Sequence, residues 1–226
     1  MSIKKKRNYL FITALFSSIF LFDYSVKAEI EGSADLNTKV NGVVGGVCAS
    51  GGCKVSGGKD SGDNRFHRFN KFDTRGQIKD VTLEAKGIKN LIIGVTNSKG
   101  SFINKSINLS SPANLFWLSP GGIYLGKGAN FINTPKINLS TSTALGFKDG
   151  EFNIYSSDTF SITSLNTEPL KGSYGFIDNS ERRFNQAINV NPSIMLDGIN
   201  IEVEKELFVD AILGQVEVRD STIKIK

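Results

Sequence analysis

The places where side chains of this sequence could do chemistry are the single histidine, the two cysteines and a run of alternating glutamates. Any Ser-His-Asp triad would have to use His67, whose imidazole would take the hydroxyl proton and return it to a leaving group. No Gly-x-Ser-x-Gly elbow is present to expose the serine. Cys48 and Cys53 enclose Ala49-Ser50-Gly51-Gly52. In an exported chain such a pair is expected as a small disulfide, with free thiols as the alternative. So short a loop contributes less stability than a long one. Glu202, Glu204 and Glu206 alternate with Ile201, Val203 and Lys205. On one strand they would line a face at about 7 Å spacing, as carboxylates do in polysaccharide-cleaving enzymes and calcium sites. A solvated face opposite a buried one gives the same pattern without chemistry, and is the preferred reading. Asp60-Ser61-Gly62-Asp63 lacks the ~12-residue spacing of a calcium loop and reads as a turn. Phe66, Phe69, Phe72, Phe116 and Trp117 could stack on sugars or bases, but filling a core is the plainer use. One histidine and two cysteines exclude most zinc sites. No catalytic residue, metal or cofactor is expected.

The elements that must position these groups follow an export signal. Lys4, Lys5, Lys6 and Arg7 form a basic start, and residues 9–22 are apolar except for Thr13, Ser17 and Ser18. Val26-Lys27-Ala28 places small residues at the two positions read by a signal peptidase. The apolar run is shorter than the ~20 residues needed to span a bilayer. Residues 1–28 are therefore expected to be a secretory signal peptide, cleaved after Ala28 and handled by the Sec machinery, with a membrane anchor or N-terminal core helix as the alternative. The signal takes five of the 27 basic residues and one of the 22 acidic ones. The mature chain keeps 22 against 21, a net of +1 in place of the whole chain's +5. That removes the main support for a nucleic-acid partner.

The mature chain reads as short strands and turns. Of 226 residues, 39% are hydrophobic, enough for a core, while 23 glycines and 20 asparagines supply turns. From Glu29 onward no amphipathic helical period stands out. Short β-rich runs recur instead, punctuated by Gly, Asn, Asp, Ser or Lys, which is the all-β pattern. Ile199, Ile201 and Val203 alternate with polar residues, as do Val216 with Val218 and Ile223 with Ile225. Gly214-Gln215 and Arg219-Asp220-Ser221 turn the chain between them. Phe102-Ile103-Asn104 and Ile107-Asn108-Leu109-Ser110 return as Phe131-Ile132-Asn133 and Ile137-Asn138-Leu139-Ser140. The two elements recur at nearly the same interval, Phe102 to Phe131 and Ile107 to Ile137. A repeat of that length suggests a solenoid or propeller, and Asn suits its corners and side-chain ladders. A sandwich or barrel would use the same strands.

Four blocks in order narrow the choice. They are Asn64-Arg65-Phe66-His67-Arg68-Phe69, Ile92-Ile93-Gly94-Val95-Thr96-Asn97, Ala113-Asn114-Leu115-Phe116-Trp117-Leu118-Ser119-Pro120-Gly121-Gly122-Ile123-Tyr124-Leu125-Gly126-Lys127-Gly128-Ala129, and Ser140-Thr141-Ser142-Thr143-Ala144-Leu145-Gly146-Phe147. Across roughly residues 35–165 the chain resembles the N-terminal secretion domain of filamentous haemagglutinin-like exoproteins of two-partner secretion systems. The resemblance implies an all-β fold, a right-handed parallel β-helix with an N-terminal cap. It also implies a partner, an outer-membrane β-barrel transporter with polypeptide-transport-associated domains, and a secreted or cell-surface location in a Gram-negative-type envelope. Such chains cross unfolded and fold outside, and their adhesin-like roles are set by a cell-surface or carbohydrate ligand that the resemblance leaves open. On this reading transporter recognition and the cap rest on Asn64, Phe66, His67 and Phe69, on Asn114, Leu115 and Phe116, and on Ser119, Pro120, Gly121, Gly122 and Ile123. Two departures stand out. The family's N-P-N-G-I turn is Ser119-Pro120-Gly121-Gly122-Ile123, with Ser as the acceptor and Gly122 supplying positive φ. Arg65 and Arg68 replace uncharged residues of the first block. Coils of ~20–25 residues advancing ~4.8 Å each would give the 198 residues after Ala28 eight or nine coils. The chain stops in mid strand pattern at Ile223-Lys224-Ile225-Lys226, as a truncated or degenerate exoprotein would. The rival reading is a parallel β-helix protein that binds or cleaves a polysaccharide.

Overall fold

The computed structural model describes residues 27–170, 174–175, 193–212 and 214–226, so residues 1–26 of the expected signal peptide lie outside the described residues. The chain is a parallel β-solenoid of about six turns. Among the described residues the one helical element is a single 3₁₀ turn, and no helix is long and apolar enough to cross a membrane.

Four short strands close the first end: β1 (Ile30–Gly32), β2 (Thr38–Val40), β3 (Val43–Val44) and β4 (Val47–Cys48). Next come β5 (Ser50–Gly57), the short β6 (Lys59–Ser61), the long β7 (Asn64–Asp73) and β8 (Gln77–Leu83). β1 runs antiparallel to β4 and β7, and β2 antiparallel to β3 and β5. Turned against the winding of the coils, this cap occupies the edges that β5 and β7 would otherwise leave open.

Above β7 and β8 each coil repeats three strands. They are β9 (Asn90–Val95), β10 (Ser101–Ile103) and β11 (Ser106–Leu109), then β12 (Asn114–Leu118), β13 (Ile123–Leu125) and β14 (Asn130–Ile132). β7 is long enough to serve two faces: residues 64–69 pair with β9, and Phe72 and Asp73 pair with β10. The coil register is read from the stacked pairs: Asn64 under Asn90, Asn90 under Asn114, and Leu115 under Ile137. The Phe-Ile-Asn repeat has a longer period and is not this register. Phe102 stacks under Tyr124, and Phe131 stacks over Ile107. The two copies lie on different faces of the solenoid, so their offset exceeds one coil.

Leu91, Leu115 and Ile137 form one column inside the coils, and Ile93, Trp117 and Leu139 another. Removing each such side chain from water contributes about 1.5–3 kcal/mol. Stacking like on like lets one rung template the next.

The winding is interrupted after β15 (Lys136–Ser140). An excursion carries β16 (Ala144–Phe147), β17 (Gly150–Asn153), the 3₁₀ turn Ser161–Ser164 and β18 (Tyr174–Gly175). The coils then resume with β19 (Ile194–Asp197), β20 (Asn200–Val203), β21 (Glu206–Asp210), β22 (Val216–Arg219) and β23 (Thr222–Ile225). β15 consequently pairs with β21, Lys136 opposite Glu206. The expected eight or nine coils become about six, because the cap and this excursion use residues that do not wind. The excursion lays Leu145, Phe147, Phe152, Ile154, Ile162 and Leu165 over the outward side chains Phe66, Ile92, Phe116 and Leu118. Those strands are buried on both faces, which is why they read as nearly continuous apolar runs. In the last coil Val216 and Val218 pair with the buried Ile194 and Leu196 yet are 46% and 56% exposed.

Candidate functional site

β7 carries the first block and joins cap, coils and excursion. Asn64 is fully buried and begins a ladder. Its Nδ2 donates to the carbonyls of Leu165 (2.8 Å) and Thr167 (2.7 Å) in the excursion. Its Oδ1 accepts from Asn90 Nδ2 at 2.9 Å, and Asn90 Oδ1 accepts from Asn114 Nδ2 at 3.0 Å. The amides of Asn90 and Asn114 each donate to the rung below, so the ladder satisfies side chains that could not otherwise be buried. Asn90→Ala is expected to lower unfolding stability by about 1–2 kcal/mol, since it orphans groups on both neighbours. Guanidinium unfolding followed by circular dichroism reads this directly, and a loss below about 0.5 kcal/mol, as at an ordinary surface position, would mean the ladder is idle.

Phe66 points outward, its ring 5.1 Å from Phe152 and 5.8 Å from Phe147. Phe69 points inward, edge-on to Phe72 at 5.1 Å, and Phe72 meets Trp117 at 4.6 Å. His67 pairs with Ile93, so it occupies an inward position that the coil above fills with an apolar side chain. The cap supplies its partner, Thr38 Oγ1, 3.3 Å from Nδ1, while Nε2 has none among the described residues. Burial, and then the nearby Arg65 charge, push the His67 pKa down to about 3, so the imidazole is neutral. Buried beside Thr38, it ties β7 to the cap.

The two arginines of this block are compensated. Arg65 grips Asp60 with Nε (2.7 Å) and Nη2 (2.8 Å), which holds the Asp60 carboxyl below its usual range. The Asp60-Ser61-Gly62-Asp63 segment is thus tied into a hairpin turn between β6 and β7. Arg68 is 5% exposed and ion-paired to Asp35 of the cap, and it donates to Asn153 O at 3.2 Å. Burial lowers its pKa to about 10.

The third block turns the chain between β12 and β13. Leu115 faces the interior, and Phe116 faces the excursion. Gly122 N–H donates to Ser119 O at 2.9 Å across Pro120 and Gly121. Gly122 has a φ of 109°, the positive angle that the sequence asks of it. A Cβ on Gly121 would lie 2.4 Å from the Asn97 carbonyl of the coil below, so this turn stacks on its neighbour with no room for a side chain. A relay runs from Trp117 Nε1 to Ser101 Oγ (3.0 Å), from there to Ser119 Oγ (3.0 Å), and on to Gly122 O (2.8 Å). Ile123 stacks between Ser101 and Ile194.

Cys48 and Cys53 are bonded and buried, tying β4 to β5. The glutamate run does not form one face. The strand breaks at residues 204–205, leaving Glu202 on β20 beside Lys226 (3.2 Å) and Glu206 on β21 beside Lys136 (3.8 Å). The period-2 pattern runs across a corner of the coil. Among the described residues no group of three or more His, Cys, Asp or Glu is placed to hold a metal. The ladder residue Asn90 and the Asp35–Arg68 pair are absent from the sequence reading. The steps of 26 residues from Asn64 to Asn90 and 24 from Asn90 to Asn114 are the signal for the ladder, and they approximate the length of one coil. No protein-family model, curated protein or solved structure matches the chain.

Proposed function

We propose that this chain is a secreted exoprotein whose N-terminal β-helix addresses it to a partner outer-membrane β-barrel transporter with polypeptide-transport-associated domains. It would reach the cell surface or medium through the periplasm, act there in an adhesin-like role, and have no enzymatic activity of its own. The observation that carries this reading is the use the fold makes of the resembling blocks. They build the strand that seats the cap and the turns that stack coil on coil. A chain that must cross a pore unfolded and fold outside needs local, sequentially templated structure. Short coils, each paired in register with the one before, supply it.

Burial sharpens the proposal. Asn64, Phe66, His67, Phe69, Leu115, Phe116, Ser119 and Ile123 are all buried in the folded coils, so a transporter would read these side chains only before folding. Residues 29–226 held unfolded in urea should bind the soluble periplasmic domains of the transporter at least about tenfold more tightly than the folded chain. Equal binding of folded and unfolded chain, or no binding of either, would overturn the reading.

A further inference from the structure

The two ends of the solenoid differ. At the first, β1, β2 and β6 lie antiparallel on β7 and β5 and take up their edges. At the other, β21, β22 and β23 form the last rung, one strand on each face, over β15, β19 and β20. Among the described residues each of these three strands pairs on one side only, which leaves ladder N–H and C=O groups pointing off the end. The inward side chains of the rung are apolar: Leu207 and Val209, Val216 and Val218, Ile223 and Ile225. They have core beneath them, and Val216, Val218 and Ile225 are exposed. The outward side chains are sorted by sign. β21 carries Glu206 and Asp210, β23 carries Lys224 with Lys226 beside it, and β22 carries Glu217 and Arg219. Within the chain Glu206 meets Lys136 at 3.8 Å, Lys226 meets Glu202 at 3.2 Å, and Arg219 meets Glu217 at 2.5 Å. Lys224 is exposed and has no ion pair among the described residues.

We infer that this rung is a homodimer interface, on which a second copy of the chain stacks end to end across a twofold axis perpendicular to the solenoid. Turning one copy over reverses its winding, so facing strands run antiparallel and can exchange ladder hydrogen bonds. Such an axis passes through one of the three strands and exchanges the other two. Through β21 it would set acids against the same acids, and through β23 lysines against the same lysines. Through β22 it sets β21 of each copy on β23 of the other, with Glu206 and Asp210 toward Lys224 and Lys226. Glu217 then faces Arg219 of the second copy across the axis. The charges therefore select one self-complementary arrangement, as an isologous contact requires. It covers the apolar side chains of both rungs, and the cap at each far end stops the assembly at two. The inference does not depend on how the chain is exported.

Sedimentation equilibrium of disulfide-intact residues 29–226, which hold every described strand, tests it. The chain should be a dimer with a Kd below about 10 μM. K224E and D210K each place like charges across the axis and should raise the Kd by about tenfold or more. The double variant K224E/D210K restores opposite signs and should return the Kd to within about threefold of wild type. V43K charges a comparably exposed apolar position on the cap hairpin and should leave the dimer unchanged. Lys224 and Val43 are exposed, so K224E and V43K should keep the wild-type circular dichroism. A chain still monomeric at about 100 μM, as it would be if a different protein segment covers the rung, would overturn the inference. So would higher oligomers, an unaffected K224E, a double variant as weak as K224E, or a loss of dimer in V43K.

Discussion

Replacing Trp117 by alanine should lower the stability of the folded chain by about 3–5 kcal/mol, the range for truncating a large buried aromatic. Trp117 is the only tryptophan and is fully buried. It sits in the interior column between Ile93 and Leu139, edge-on to Phe72 at 4.6 Å. The loss would combine removal of apolar contact, a cavity that stacked backbones cannot collapse into, and the aromatic pair itself. It would also cut the head of the Trp117–Ser101–Ser119–Gly122 relay that orders the Ser-Pro-Gly-Gly turn. Trp117→Phe keeps most of the volume and should cost clearly less. Guanidinium unfolding followed by far-ultraviolet circular dichroism avoids dependence on the lost fluorophore. Equal costs for the two variants would mean that the indole N–H, rather than packing, carries the stability.

Acid should weaken the fold through His67 before carboxylates contribute. Its folded pKa of about 3 lies below the ordinary value of 6.5, so as the pH falls the unfolded chain takes up the proton first. The stability this group confers is fully present above pH 6.5 and is lost as the pH falls toward 3, with a slope approaching about 1.4 kcal/mol per unit. From pH 7 to pH 5 the loss should be about 2 kcal/mol. The chain has one histidine, so ordinary carboxylates leave that window nearly to His67 alone. Urea unfolding of wild type and His67→Gln at both pH values separates the two: wild type should lose stability, and the variant should be nearly flat, whatever its absolute stability. A wild-type chain equally stable at both pH values would contradict the burial of a neutral imidazole under the cap.

Both predictions concern residues that the sequence marked for other reasons, and the gap is instructive. The alternation of Ile199, Ile201 and Val203 was legible because each is buried along one edge of the coil at β20. The Ser119–Gly122 turn was legible because Pro and Gly constrain φ locally. The Cys48–Cys53 bond was legible from the spacing together with the expectation of an export signal. Three features were not legible, each for a non-local reason. The Phe-Ile-Asn similarity offered one period, Phe102 to Phe131, while the steps between Asn64, Asn90 and Asn114 carried the shorter, true one. Nothing local ranks one over the other. The glutamates alternate through a corner that only the stacking of Lys136 on Glu206 reveals. Phe66, Phe116, Phe147 and Phe152 are apolar because the excursion covers one outer face. No single-strand pattern distinguishes that second layer from the solenoid's own core.

The candidate site shows the same division. The residue blocks were legible as blocks, but not the buried Arg68–Asp35 pair or the Asn64 bonds to Leu165 and Thr167. These join segments as much as 103 residues apart.

Export is the most direct test of the proposal. The whole chain, residues 1–226, would be produced in a host that carries, or lacks, a β-barrel transporter with polypeptide-transport-associated domains of the proposed kind, and the medium and periplasm assayed for the protein. The account predicts folded protein at the surface or in the medium only when the transporter is present, with periplasmic accumulation when it is absent. Equal amounts outside the cell in both hosts would contradict it.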